Sequence, residues 1–306
     1  MFTRILVCVD GSPCSIAATR AAVAVARHNG AELLAIAAFH PKYAGVAEIG
    51  AWAVAIDQEE IERWARLERE DIQESICPIL AGLDTPNRFV QETGHPVEVI
   101  LRVAERENVD LVVVGSRGLR GVKELLLGSV SSAVMHHASC PVLIVHGDHV
   151  PTGETAFRHI VLTSDGSQRA RKAAAVAVEM ARSFATSLTV LNVCTDISSI
   201  LLPEEIGALK AEEAMIGSES ADLHAERVLG AVEKDVSVLA KAEGVYCAYV
   251  QVSGHPYDAI VRYTKQHPTD LIVMGSRGLG GFEQMLVGSV SNYVAHHTAC
   301  PVMVVH

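Results

Sequence analysis

The sequence predicts an α/β protein made of two tandem, doubly wound domains, each a parallel five-stranded sheet covered by helices. Three observations predict it. The chain is written twice at a domain-sized period of about 155 residues. Short, nearly continuous apolar runs alternate with amphipathic helical patterns in each copy, as strands buried on both faces of a parallel sheet do. The 306 residues are 49% hydrophobic and 20% charged, enough apolar surface for two packed cores.

The repeat is explicit. RILVCVDGS at 4–12 returns as HIVLTSDGS at 159–167, and LLLGSVSSAVMHHASCPVLIVH at 125–146 returns as MLVGSVSNYVAHHTACPVMVVH at 285–306. The run from Glu92 to Gly121 returns around Gln251–Gly281. Asp10 maps to Asp165 and Gly115 to Gly275, so the second copy gains five residues between the second strand and the Gly-His-Pro turn. A glycine- and proline-containing join suits a linker at 148–155, between domains at 1–147 and 156–306.

Taken in order, Ile5–Val9 is rich in β-branched residues and reads as the first strand. Ser12 is an N-cap and Pro13 suits the first turn of an alanine-rich helix that Gly30 stops. Leu33–Phe39 is the second strand, and 59–80 a charge-laced amphipathic helix with a solvated face. Arg88–Glu92 is a third strand, and the Gly94-His95-Pro96 turn opens a helix over 97–107. Asp110–Gly115 and Pro141–His146 are the fourth and fifth strands.

The net charge of −11 and pI near 5.7 argue against a broad nucleic-acid surface, which needs many phosphates neutralised. The odd count of seven cysteines, with no CxxC pair, points to reduced, buried thiols in a reducing compartment. The N-terminal run lacks a signal-peptide layout, and apolar runs fall short of the roughly 20 residues that span a bilayer. The expectation is a cytoplasmic protein with no membrane partner.

The chemistry sits after strand four. Gly115-Ser-Arg117-Gly118, then nine residues, then Gly128-Ser129 is matched by Gly275-Ser-Arg277-Gly278, nine residues, and Gly288-Ser289. Glycines there can take positive φ and let backbone approach a ligand. The helix openings Ser129-Val130-Ser131 and Ser289-Val290-Ser291 offer free amides backed by the helix dipole, a natural phosphate site. The serine hydroxyls and the Arg117 and Arg277 guanidiniums add donors. The pattern is neither Walker A nor GxGxxG. Ordinary turn glycines would look alike once; two copies with identical spacing favour phosphate binding.

With these motifs the chain resembles a tandem universal stress protein, a likeness that covers nearly its whole length. The resemblance implies strand order 3-2-1-4-5, a fold like that of the adenine nucleotide alpha hydrolases, and ATP binding, with Mg²⁺ a companion ion. It implies that Asp10 and Asp165 recognise adenine, that the glycines with Ser129 and Ser289 hold phosphate and ribose, and that Val114 and Met274 lie near the ribose. Ala38 and Val193 would pack on the base. From the residues alone, Asp10 either accepts from an adenine amino group or caps the first helix through its turn; both readings stand.

Other constellations carry less. His136-His137 and His296-His297 are adjacent on a helix and splay about 100° apart, which makes a poor chelate. They suit a helix C-terminus better. His95 and His255 read as turn residues, and Cys140 and Cys300 as packing. No catalytic base is apparent, so the leading reading is a nucleotide-dependent stress or signalling module. A slow ATPase or nucleotide hydrolase and a protein-interaction scaffold are the alternatives. Loop 1 carries Arg117, Arg120 and Lys123 against Arg277 and Glu283 in loop 2, which predicts tighter triphosphate binding in the first domain. The apolar last strands suggest an intrachain pseudo-dimer through sheet edges, with a homodimer beyond it.

Overall fold

The computed structural model describes residues 2–40, 58–118, 127–147, 156–194, 214–278 and 287–306. The chain divides into two compact units, Met1–Glu154 and Thr155–His306. Arg120, Lys123, Glu283 and the 148–155 linker lie outside the described residues.

In the first unit β1 (Arg4–Cys8), α1 (Pro13–Asn29), β2 (Glu32–Phe39), α2 (Gln58–Leu80), β3 (Asn87–Thr93), α3 (Pro96–Arg106), β4 (Leu111–Gly115), α4 (Ser129–His137) and β5 (Val142–Val145) follow in order. All strand pairs are parallel, in the order β3-β2-β1-β4-β5. The second unit repeats this with β6 (His159–Thr163), α5 (Gln168–Ser183), β7 (Ser187–Cys194), α6 (Ala214–Glu243), β8 (Cys247–Ser253), α7 (Pro256–Gln266), β9 (Leu271–Gly275), α8 (Ser289–His297) and β10 (Val302–Val305). Its order is β8-β7-β6-β9-β10. From the central parallel strands β1 and β4, and β6 and β9, the chain connections wind outward in opposite directions, which creates the switch point at those strands' C-terminal ends.

The elements fall within a residue or so of the sequence reading. β1 begins at Arg4 because Asp110 anchors its start: the Thr3 amide and hydroxyl donate to Asp110 Oδ2 at 2.7 Å each, and the Arg4 amide to Oδ1 at 3.1 Å. Asp270 does the same for the amides of Arg158 and His159, at 3.0 and 2.9 Å. Each aspartate thereby fixes the register of strands 1 and 4 of its unit.

The sheet cores are aliphatic. Leu111–Val114 and Leu271–Met274 are buried along their length. Each unit's long helix packs by one stripe: Ile72, Ile76 and Leu80 in α2, and Val232, Val236 and Ala240 in α6. These triplets are offset by 160 residues, whereas β2 and β7 are offset by 155. The five extra residues of the second copy therefore enter between β7 and the stripe of α6. Of the seven thiols, Cys77 is exposed, contrary to the buried set expected. It lies on the solvent side of α2, beside the stripe at Ile76. Burial pushes the Cys140 and Cys300 thiols up to about 11, and Cys8 higher still. Among the described residues no helix is long and apolar enough to cross a membrane.

Asp110→Ala orphans three donors and is expected to lower the stability of the first unit by about 1–2 kcal/mol. The readout is faster hydrogen exchange of its slowest sheet amides; unchanged exchange would contradict the anchoring role.

Candidate functional site: the glycine loop at the switch point

The site begins at the turn after β1. Asp10 Oδ1 accepts from the Ser12 amide at 3.0 Å, and Asp165 Oδ1 from the Ser167 amide at 3.0 Å. This is the capping-turn role left open by the sequence. Ser12 then caps α1 by accepting from the Ser15 amide at 3.2 Å, and donates its own proton to the Arg117 carbonyl at 3.3 Å. Ser167 repeats both contacts with the Ala170 amide (3.2 Å) and the Arg277 carbonyl (3.4 Å). One hydroxyl therefore fastens the first helix to the glycine loop. The sequence identified Ser12 as a cap; its second contact, over a hundred residues away, carried no local signal.

The glycines work differently from expectation. None of Gly115, Gly118, Gly275 or Gly278 has positive φ; among the described residues the positive-φ glycines are Gly11, Gly30, Gly94, Gly166, Gly244 and Gly254. What the loop glycines supply is missing volume. A Cβ on Gly115 would lie 2.7–2.9 Å from the Cys14 carbonyl group and the Ser15 amide nitrogen, because α1 starts directly on the end of β4. Gly275 meets Arg169 and Ala170 in the same way, at 2.9 and 3.1 Å. A Cβ on Gly118 would lie 2.5 Å from Asp10 Oδ2, and one on Gly278 would collide with Asp165 Oδ2. The first glycine of each motif is thus a packing requirement, and the second makes room for the aspartate. Asp10 and Gly118 are brought together, as are Asp165 and Gly278.

The loop closes on the next helix. The Gly128 amide donates to the Ser116 carbonyl at 2.6 Å, and Gly288 to Ser276 at 2.6 Å. Ser131 Oγ donates to the same Ser116 carbonyl at 2.8 Å, and Ser291 Oγ to the Gly275 carbonyl at 2.8 Å. Both hydroxyls are buried and spent on the loop, which corrects their reading as ligand donors. Ser129 and Ser289 are exposed. The N-caps of α4 and α8 are Gly128 and Gly288, with no side-chain cap bond, unlike α1 and α5. Amides 129–131 and 289–291 precede the first intrahelical bonds, made by Ser132 and Asn292 at 2.9 and 3.1 Å. They lie at the positive end of the helix dipole.

The remaining residues sort by burial. Extending the β1–β2 and β6–β7 registers by two residues puts Ala38 beside Asp10 and Val193 beside Asp165, both half-buried at the strand outlets. Val114 and Met274 are buried in their strands, so only main-chain atoms there can reach a ligand. Val130 and Val290 are half-buried in the first helical turn. His95 and His255 are N-caps of α3 and α7 without a side-chain cap bond. His136 Nδ1 lies 2.6 Å from the Ser132 carbonyl and His297 Nδ1 2.8 Å from that of Tyr293, the helix-end contacts expected.

The sequence count of basic groups missed one. Arg169, second residue of α5, places Nη1 2.6 Å from Ser276 Oγ inside the second loop. Its place in the first unit is taken by Cys14, whose thiol lies 3.9 Å from Ser116 Oγ. Partial burial, and then the charge of Arg277, hold Arg169 below the usual arginine range.

The two glycine types predict opposite phenotypes. Gly115→Ala pushes against backbone and is expected to cost about 2–3 kcal/mol. Gly118→Ala pushes against a movable carboxylate, so the melting temperature changes little while the Asp10 turn is displaced. Thermal melts with amide shifts of Ser12 check both; equal melting temperatures for the two variants would contradict the distinction.

The comparisons with known proteins agree with this architecture. The model of the universal stress protein family matches residues 1–146 and again 156–306. A universal stress protein of Mycolicibacterium smegmatis is 35% identical over 201 residues, 65% of this chain and 62% of that protein. One of Thermus aquaticus is 37% identical over 145 residues, 47% of this chain and 99% of its own. The chain spans 62–65% of the length of the two-domain mycobacterial relatives it matches first. The crystal structure of a universal stress protein from Archaeoglobus fulgidus covers 99% of this chain and 95% of its own, at 23% identity and a TM-score of 0.65, a likeness of fold. With both of its units matched by the family's model, the chain belongs to the universal stress protein family.

Proposed function

We propose that each unit binds an adenine nucleotide at its switch point, with ATP the preferred form, and that occupancy tunes the chain's role in stress signalling. The single observation that carries this reading is the pair of side-chain-free caps, Gly128 and Gly288, which leave the first-turn amides of α4 and α8 open. A protein helix end is ordinarily satisfied by a cap. Here α1 and α5 are capped by serine, while the two helices that follow the glycine loops are not. A phosphate group is the natural complement.

In this reading Asp10 and Asp165 keep one oxygen on their turns and use the carboxylate edge to accept from the adenine amino group. Ala38 and Val193 give the base an apolar wall at the neighbouring strand. Ser129 and Ser289 turn exposed hydroxyls toward the ribose or phosphates. Among the described residues no cluster of three His, Cys, Asp or Glu side chains could cage a cation. A magnesium ion would therefore arrive with the nucleotide, held largely by phosphate oxygens. The described part of each loop provides binding groups, and the proposed role is binding.

Calorimetric titration of the full chain with ATP tests the reading. Ser129→Asp and Ser289→Asp place an acid at the first helical position, which favours the helix but repels phosphate. Each single variant is expected to lose one of two binding events, and the double variant both, with unchanged melting temperature. Saturable ATP binding that survives in the double variant would overturn the proposed sites.

A further inference from the structure

We propose that the outer edge of β8 is a docking edge for a second copy of this chain, the two β8 strands pairing antiparallel about a two-fold axis at Ala248. The inference concerns the rim of the second unit and is independent of nucleotide binding at either switch point.

The backbone sets what can dock. β8 ends the sheet of its unit and pairs with β7 alone among the described strands. The ladder bonds at its two ends run from the Leu188 amide to the Tyr246 carbonyl at 2.9 Å and from the Gly254 amide to the Cys194 carbonyl at 3.0 Å. They fix the phase of the strand. In that phase Ala248 and Val250 turn their main-chain groups toward β7, and Cys247 and Tyr249 turn theirs away from it. An outward row of amides and carbonyls is a template for another strand. The side chains alternate between the two faces of the sheet. Tyr249 points to the α6 side, its hydroxyl 3.4 Å from the Glu233 carbonyl, so Tyr246, Ala248 and Val250 share the opposite face. Tyr246 is 74% exposed there, and Ala248 and Val250 are half-buried.

The edge sequence names the occupant. Set against its own copy about Ala248, Tyr246 lies opposite Val250, Ala248 opposite Ala248, and Cys247 opposite Tyr249. An exposed aromatic ring thus meets a β-branched partner on each side of the axis, a favoured cross-strand pair. Cys247 and Tyr249 exchange their outward main-chain hydrogen bonds across it. No charged residue stands between Gly244 and Ser253, so the two-fold brings no like charges together on the strand. The first unit shows the contrast. There the matching ladder bond runs from the Leu33 amide to the Pro86 carbonyl at 2.9 Å, so Pro86 takes the place of Tyr246 and Arg88 that of Ala248. A two-fold at that edge would set Arg88 against its own copy. Arg88 is held along the rim by Glu107 at 2.5 Å and Glu32 at 3.7 Å. Proline and charge are what keep a strand edge from pairing. The β3 edge has both and the β8 edge neither.

Analytical sedimentation of the full chain over a concentration series tests this. A reversible monomer–dimer equilibrium is expected. Ala248→Arg copies the first unit's rim and should weaken the dimer by about tenfold or more, since it sets like charges face to face. Its melting temperature should hold, because Arg88 is accommodated at the matching place. Arg88→Ala should leave the dimer as it is. Ala248→Cys puts two thiols across the axis with Cα atoms about 4.5 Å apart, within reach of a disulfide. Mild oxidation should then give more covalent dimer than in the unsubstituted chain, where exposed Cys77 sets the background. Should the arginine lower the melting temperature, the crosslink alone decides. A chain that stays monomeric up to about 1 mM would overturn the inference. So would a dimer untouched by Ala248→Arg, or an Ala248→Cys chain that crosslinks no more than the unsubstituted one; pairing through the last strands would give both of those results.

Discussion

The close approach of α1 to the end of β4 is the contact on which the site's geometry depends. The start of α1 lies so near Gly115 that a single added carbon would come within 2.7 Å of the helix backbone. That approach brings Ser12 within reach of the Arg117 carbonyl and Asp10 against Gly118. The second unit keeps the same approach through Gly275, Arg169, Ser167 and Asp165. Once strand, helix and loop are clasped in this way, the chain beyond the loop can open a new helix. Nothing in the arrangement needs strained backbone. It uses missing side-chain volume at two loop positions and a left-handed glycine, Gly11 or Gly166, in the turn after the first strand.

This explains why the motif has separable parts. Gly115 and Gly275 serve packing, and they would be required in a protein that bound nothing. Gly118 and Gly278 serve the aspartate, whose carboxylate lies against them at the outlet of the sheet. Gly128 and Gly288 serve neither; as caps they are weaker than serine, and their advantage is that they leave first-turn amides uncovered. The last glycine of each motif is thus the one tied to ligand binding, and the first is tied to the fold.

Much of this was legible in the sequence. The repeat, the parallel α/β class and nearly every element of the first unit followed from apolar runs, caps and turns, because Val-rich strands such as Leu111–Val114 and capped helices such as α1 announce themselves locally. The site's location followed from glycine spacing. What sequence could not supply were contacts between distant segments. Ser131 and Ser291 looked like ligand donors because their use inside the loop depends on the carbonyls of Ser116 and Gly275. The constraint on Gly115 and Gly275 is a neighbouring helix, and on Gly118 and Gly278 an aspartate carboxylate, in place of a positive φ. Arg169 was invisible as a loop residue since it lies over a hundred positions upstream of Ser276. A charge count along the loop therefore missed a basic group of the second unit.

In the proposed mode of binding, the first-turn amides of α4 and α8 receive phosphate. The most direct measurement is an amide-resolved NMR titration of the isotope-labelled full chain with ATP. Saturable shifts are expected to concentrate at the amides of Ser129–Ser131 and Ser289–Ser291, with Asp10 and Asp165 moving alongside. Saturation with those six amides unmoved, and shifts gathered elsewhere on the chain, would contradict that mode of binding.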